Sequence, residues 1–370
     1  MNKRIIYIGG FEMPDKNPAA HRVLSVAKAM RDNGVEVVFL GMSKTNREKD
    51  VLKTRTEVQE FKAYSVPYPE SKKEWVRYLT DISAVIKLIE SLGGADGIIC
   101  YNYQAIAFEK LRKYCKANGI KIYSDCTEWY NTVGASAVFK MLKGFDIWYR
   151  MNIVQKKLDG MIVISNYLKN FYSGCKNVAV VPPLVDTNEE KWQIPAKNLG
   201  NDVNFLYSGN PGVKDRVDEI VRAFVNIQHK YAAQLWVIGV SEQDFFKYNS
   251  SFKKEEIPPT VRFLGRIPHE ENLAYLKGAD CSMIIRNSTR TNNAGFPTKF
   301  VEAVTLGVGV IATDISDIKD YVGKADNLVM VENSIEEAMI KFIGQYNAEK
   351  TASDIFDYRL WQNSIMRLIE

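Results

Sequence analysis

The sequence predicts an α/β protein made of two consecutive Rossmann-like domains, each a parallel sheet covered by helices. Two observations carry this reading. Short apolar runs alternate with amphipathic helical segments along most of the 370 residues, the signature of βαβ units. The alternation also stops once, at Pro182-Pro183 and the polar stretch that follows to about residue 202, and restarts at Val203. A double proline followed by charged residues reads as an interdomain linker. The expected domains are residues 1–185 and 203–353, followed by a C-terminal helix at 354–370.

In order, residues 5–8 read as a strand, 19–33 as a helix stopped at Gly34, and 35–40 as a second strand. After a polar excursion, residues 72–91 read as one long helix. Strands at 97–100 and 120–124 flank a helix at 104–118; further strands at 160–164 and 178–181 flank a helix at 166–171. In the second half, strands are expected at 205–208, 235–238, 261–264, 281–285 and 308–312. Helices are expected at 215–230, 270–277, 298–306 and 335–345. Apolar and aromatic residues recur at helical spacing across 354–369 (Ile355, Phe356, Leu360, Trp361, Ile365, Leu368, Ile369).

The bulk composition excludes several classes. A 46% apolar and 25% charged chain is ordinary for a soluble globular protein, and a net charge of +5 without a Lys/Arg-rich run of regular aromatic interleaving does not mark a nucleic-acid binder. Five cysteines without a Cys-x-x-Cys spacing point to reduced thiols, and three histidines far apart give a metal site no support. The apolar run 5–8 is too short for a signal-peptide core, and no stretch reaches the ~20 residues of a spanning helix. The expected location is the cytoplasm.

The most informative stretch is Asn293-Ala-Gly-Phe-Pro-Thr-Lys-Phe-Val-Glu-Ala-Val-Thr-Leu-Gly307, leading into the apolar run 308–312. It reads as a glycine-containing loop, a helix beginning near Pro297, and a buried strand. Free N–H groups at a helix start, together with the helix dipole, favour an anion. Thr298 and Lys299 add a hydroxyl and a cation, and Glu302 lies one turn from Thr298, on the same face. A carboxylate repels phosphate but accepts hydrogen bonds from a ribose diol. The constellation Gly295, Phe296, Pro297, Thr298, Lys299 and Glu302 therefore suggests a nucleoside diphosphate ligand.

This stretch resembles the signature of the family 4 glycosyltransferases, retaining enzymes of the GT-B fold, of the type that builds bacterial capsules and exopolysaccharides. The family pattern is Glu, seven residues, Glu. Glu302 matches the second glutamate, which the resemblance assigns to the ribose; Ala294 stands where the first, serving the transferred sugar, would be. The resemblance covers nearly the whole chain but is specific mainly at residues 295–313. It implies two domains facing across a cleft, with the ligand outside the C-terminal ends of the strands and the C-terminal helix at 354–370 crossing back onto the first domain.

Other loops fit the same ligand. Gly9-Gly10 directly follows the first strand, where glycine lets backbone approach a phosphate; it is not Gly-x-Gly-x-x-Gly, which argues against a dehydrogenase. Ser208-Gly209-Asn210-Pro-Gly-Val-Lys214-Asp215 follows the first strand of the second domain. By resemblance Gly209 and Lys214 match a Gly-Arg…Lys pattern on the donor phosphates, with Asn210 in the arginine's place. Part of that role then falls to Lys299 or to backbone N–H groups. Asp125 and Glu128 straddle a strand end, as candidates for hydroxyl binding, general-base work or simple capping. Glu128 is the preferred acceptor-side residue. His21, at the start of the first helix, is a candidate for contact with acceptor or phosphate, or for capping.

The reading is a hexosyltransferase-type enzyme. It would move a sugar from a nucleotide-diphosphate donor to a glycan or lipid-linked saccharide with retention, without a metal or other cofactor. The alternative is a catalytically silent nucleotide-sugar-binding subunit supporting a partner transferase. Basic residues (Lys140, Lys143, Arg150, Lys156, Lys157) interleaved with Phe139, Met141, Phe145, Trp148, Tyr149 and Met151 suggest either peripheral contact with an anionic membrane through 139–157 or a core-packed helix with a basic outer face.

Overall fold

The computed structural model describes residues 3–14, 17–130, 137–210, 214–346 and 350–369. The chain forms two compact units, Met1–Val185 with Asp357–Glu370, and Asp186–Phe356.

The first unit holds an eight-stranded sheet. Its strands are β1 (Arg4–Gly9), β2 (Glu36–Ser43), β3 (Thr56–Val58), β4 (Phe61–Pro67), β5 (Gly97–Tyr101), β6 (Lys121–Cys126), β7 (Gly160–Val163) and β8 (Val178–Val180), in the order β3-β4-β2-β1-β5-β6-β7-β8. All neighbours are parallel except β3 and β4. Side chains alternate across β1: Ile5 and Tyr7 enter one core, Ile6 and Ile8 the other. A strand buried on both faces must be apolar throughout, which is why residues 5–8 read as an unbroken run.

The second unit holds β9 (Val203–Ser208), β10 (Ala233–Ile238), β11 (Val261–Gly265), β12 (Cys281–Ile284), β13 (Gly309–Ala312) and β14 (Leu328–Met330), all parallel, in the order β11-β10-β9-β12-β13-β14. Phe205, Tyr207, Leu235 and Val237 pack under the helices Val217–Ile227 and Ile335–Gln345.

Several expectations are corrected. The long helix at 72–91 is two helices, Lys72–Thr80 and Ser83–Ser91. Asp81 turns to an extended conformation, and its carboxylate accepts from the Ser83 N–H at 3.0 Å, so a short polar side chain breaks the helix without Gly or Pro. The polar excursion contains the β3–β4 hairpin, whose turn places Gln59 and Glu60 at positive φ (47° and 70°). A turn of that type usually shows Asn-Gly, so its sequence signal is missing here.

The tail is helical only from Gln362 to Ile369, after a short 3-10 turn at Tyr358–Trp361. Ile365, Leu368 and Ile369 bury into the first unit's core beside the helix Pro18–Arg31, and the Tyr358 hydroxyl donates to Asp32 at 2.8 Å. The segment Ala137–Tyr149 is a helix that continues as a π turn at Arg150–Val154. Phe139, Met141, Leu142, Phe145 and Trp148 are each more than half exposed, so its apolar side is not core-packed. Arg150, by contrast, is buried and lies over the Tyr130 ring, so it is not one of the surface cations expected there.

Candidate functional site

In both units the chain leaves its first strand in one direction and later returns to that strand's other side. The reversal falls between β1 and β5 in the first unit and between β9 and β12 in the second. Crevices outside the carboxyl ends of strands at such reversals are where open α/β sheets bind ligands.

The second unit's reversal carries a charged cluster. The backbone after β9 pairs with the backbone after β12 through an isolated Asp215–Arg286 bridge, with the Arg216 N–H donating to the Ile285 carbonyl at 3.0 Å. That pairing sets Arg286 against Asp215: Nε donates to Oδ1 at 2.5 Å. Lys299 Nζ donates to Oδ2 of the same carboxylate at 2.8 Å, as does the Tyr207 hydroxyl. The ammonium also lies 4.6 Å from the Tyr207 ring centre.

Burial alone would raise the Asp215 pKa, but the charges and hydrogen bonds of Lys299 and Arg286 overcome it and hold the carboxyl below its ordinary value. Burial lowers the Lys299 pKa against the pull of Asp215 and, more weakly, Glu302. One carboxylate faces two cations, leaving the cluster with one excess positive charge.

Gly209 makes this packing possible. It sits at φ +141°, its N–H donates to the Ile238 carbonyl at 3.0 Å, and a Cβ there would collide with Lys299 Nζ and Cε. Gly209 and Lys299 are thus brought together. Asn210 and Lys214 are exposed on the same loop, and Lys214 makes no ion pair among the described residues; residues 211–213 lie outside them.

Pro297 caps the helix Thr298–Thr305 rather than starting it, and no side chain caps that start. Thr298 is exposed and Glu302, one turn on, is half-buried. The Phe296 ring packs with Phe300, Tyr321 and Phe356. The Gly295 carbonyl accepts from the Ser316 hydroxyl, which braces the loop. Ala294 is fully buried at the end of a short helix, Arg290–Ala294, whose last two residues fall where the loop from Asn293 is expected.

In the first unit, Gly9 ends β1, where a Cβ would lie 2.6 Å from the Tyr101 carbonyl of β5, so only glycine lets the two strand ends close up. Gly10 is half-buried with room around it. His21 lies in the first turns of the helix Pro18–Arg31, whose start is capped by Asn17. Glu128, half-buried, follows β6, its segment fixed by Asn102, whose Nδ2 donates to Thr127 Oγ1 at 2.7 Å. Tyr101 connects these parts: it touches the Gly9 turn, and its phenol, pushed up by burial, also feels the charge of Glu128. Asp125 is committed elsewhere. It is fully buried and accepts from the Tyr7 hydroxyl at 2.5 Å and from Arg22 Nη2 at 2.9 Å, so its role is structural.

Sequence reasoning missed Arg286 and the part played by Tyr207. The available signal was a lone cation immediately after an apolar strand. Among the described residues no group of three His, Cys, Asp or Glu is arranged around a metal position, and no helix is long and apolar enough to cross a membrane. The cysteines are all free.

Residues 188–355 match the family model described as Glycosyl transferases group 1. No curated protein matches the chain by sequence. Sucrose-phosphate synthase from Thermosynechococcus elongatus is similar in structure, with TM-score 0.66 and 14% identity over 100% of this chain and 95% of that one. The lipopolysaccharide outer core galactosyltransferase WaaB follows at TM-score 0.63 and 14% identity, over 98% and 99%. The UDP-GlcNAc 2-epimerase from Methanocaldococcus jannaschii is similar at TM-score 0.59 and 13% identity, over 99% of each chain. At such identities the likeness shows the fold, which is the two-domain α/β GT-B fold with parallel sheets.

Proposed function

We propose that this chain is a group 1 glycosyltransferase using nucleotide sugars, and that it transfers a hexosyl group with retention to a glycan or lipid-linked saccharide in polysaccharide biosynthesis. The observation that carries the nucleotide end is the cationic cluster at the β9–β12 reversal, beside the uncapped start of the helix Thr298–Thr305. In the reaction the bond from the anomeric carbon to the diphosphate oxygen breaks as the acceptor hydroxyl oxygen bonds to that carbon on the same face. The hydroxyl proton passes to the departing phosphate.

The charge that develops on the diphosphate needs preorganised cations. Lys299 and Lys214 supply them, Gly209 and Asn210 give the loop backbone access, and Glu302 takes the ribose diol. Gly295, Phe296, Pro297 and Thr298 shape the helix start. Within the first unit, Gly9 and Gly10 leave the loop after β1 open to an anionic group, and Glu128 and His21 are assigned to the acceptor. No metal or cofactor enters this scheme.

The exposed apolar face of the helix Ala137–Tyr149, with Lys140 and Lys143 on the same helix, supports peripheral contact with an anionic membrane surface on the cytoplasmic side, which suits a lipid-linked acceptor. A thermal-shift screen of uridine, guanosine, adenosine and thymidine diphosphates and their sugars tests the donor reading. A ligand of the native state must raise the midpoint. At least one should do so at millimolar concentration, and if none does the donor assignment fails.

A further inference from the structure

We infer that Arg286 is a donor-phosphate ligand, held in place by Asp215 so that the outer edge of its guanidinium takes non-bridging diphosphate oxygens. The inference rests on the nucleotide-sugar reading and names a residue that neither the sequence pattern nor that reading assigned.

Its position comes from the topology. Arg286 follows β12 and Asp215 follows β9, the two strands flanking the chain reversal, so both sit on the ligand side of the sheet. Among the described residues the guanidinium makes one side-chain hydrogen bond, from Nε to Asp215, which leaves Nη1 and Nη2 uncommitted. Its side chain is 16% exposed, enough to present an edge but not to wave in solvent. The backbone is clamped as well: the Arg286 N–H donates to Thr313 Oγ1 at 2.9 Å, and that hydroxyl donates to the Arg286 carbonyl at 2.8 Å.

A guanidinium fixed by one edge and free at the other is the geometry that recognises phosphate bidentately. Lys299, on the same carboxylate, adds a second cation. Asp215 removes one of these two charges, so the cluster attracts an anion without two unscreened cations repelling each other when no ligand is bound. In this arrangement Asp215 positions Arg286 and Lys299 and does not itself touch the phosphate. Asn210 occupies the place where an arginine was sought on the β9 loop; the cation arrives instead from β12.

The test measures binding of a nucleoside, its monophosphate and its diphosphate by titration calorimetry, using the base that the screen identifies, for the native protein and for Arg286→Gln and Arg286→Lys. Arg286→Gln should weaken the diphosphate about ten- to a hundredfold, the loss of a charged hydrogen-bonding partner, and leave the nucleoside within about twofold. Arg286→Lys, which keeps a charge beside Asp215 but loses the fork, should fall between. If all three ligands weaken equally, Arg286 is merely structural and the inference is overturned. If Arg286→Gln binds the diphosphate as tightly as the native protein, it is overturned directly. Should the native protein bind no nucleoside diphosphate, the donor reading itself fails, an outcome distinct from both.

Discussion

Arg22 and Asp125 form a buried ion pair, Nη2 to Oδ1 at 2.9 Å, with side chains 5% and 0% exposed. Arg22 comes from the helix Pro18–Arg31 and Asp125 from the end of β6, and Arg22 Nη1 also donates to the carbonyls of Val181 and Pro182. The pair therefore fastens the first helix, the middle of the sheet and the segment leaving it. Breaking one partner strands a buried charge, which costs about 3–5 kcal/mol. Asp125→Asn and Arg22→Met should each lower stability by that order in urea unfolding. Asp125→Asn should not change affinity for nucleoside diphosphates. An Asp125→Asn protein of native stability would show that the network matters little.

Asp215 gives a pH signature. Its folded pKa lies below the ordinary carboxylate value, about 3.9 when unfolded. On acidification the unfolded chain takes up this proton first, so the stabilisation is present above the unfolded value and is lost as pH falls through the folded one. In urea melts the stability gap between the native protein and Asp215→Asn should be widest near neutrality and narrow below about pH 4. A gap that stays constant across that range would rule out the linkage.

Gly209→Ala places a methyl group where Lys299 Nζ and Cε now lie, at a backbone φ of +141°. The strained backbone costs about 1–3 kcal/mol, and Lys299 must move off Asp215. Reduced thermal stability together with weaker diphosphate binding is expected. A variant that is less stable but binds with native affinity would separate Gly209 from the ligand.

The membrane contact predicts that Phe145→Ser with Trp148→Ser abolishes co-sedimentation with anionic vesicles while leaving the melting temperature unchanged, since both side chains are more than half exposed. Native protein should bind vesicles rich in acidic lipid more than neutral ones, and lose binding at high salt. Equal sedimentation of the native and doubly substituted proteins would remove the contact.

How much of this could be read from sequence depended on whether the signal was local. The buried strands were legible because a parallel strand covered on both faces is apolar nearly throughout, as at residues 5–8. The helix start beside Lys299 was legible because Pro297 and Gly307 punctuate it. The β3–β4 hairpin was not, because its turn residues, Gln59 and Glu60, adopt positive φ without glycine. The break at Asp81 was missed because a side-chain cap inside an amphipathic pattern leaves the periodicity intact. Arg286 was out of reach for another reason: its partner Asp215 is far away in sequence, and only the pairing of the β9 and β12 loops brings them together. Asp125 looked like a candidate acid until burial and Arg22 accounted for it.

The central claim is donor turnover, and one measurement addresses it most directly: release of nucleoside diphosphate from the nucleotide sugar that gives the largest thermal shift, with and without saccharide acceptors. The account predicts slow hydrolysis by the purified protein, accelerated by an acceptor, and lost in Glu302→Ala along with about a tenfold or greater drop in nucleotide affinity. Tight nucleotide binding with no release over any acceptor would contradict it, and would leave a nucleotide-sugar-binding subunit in which the buried Ala294 replaces the carboxylate that serves the sugar.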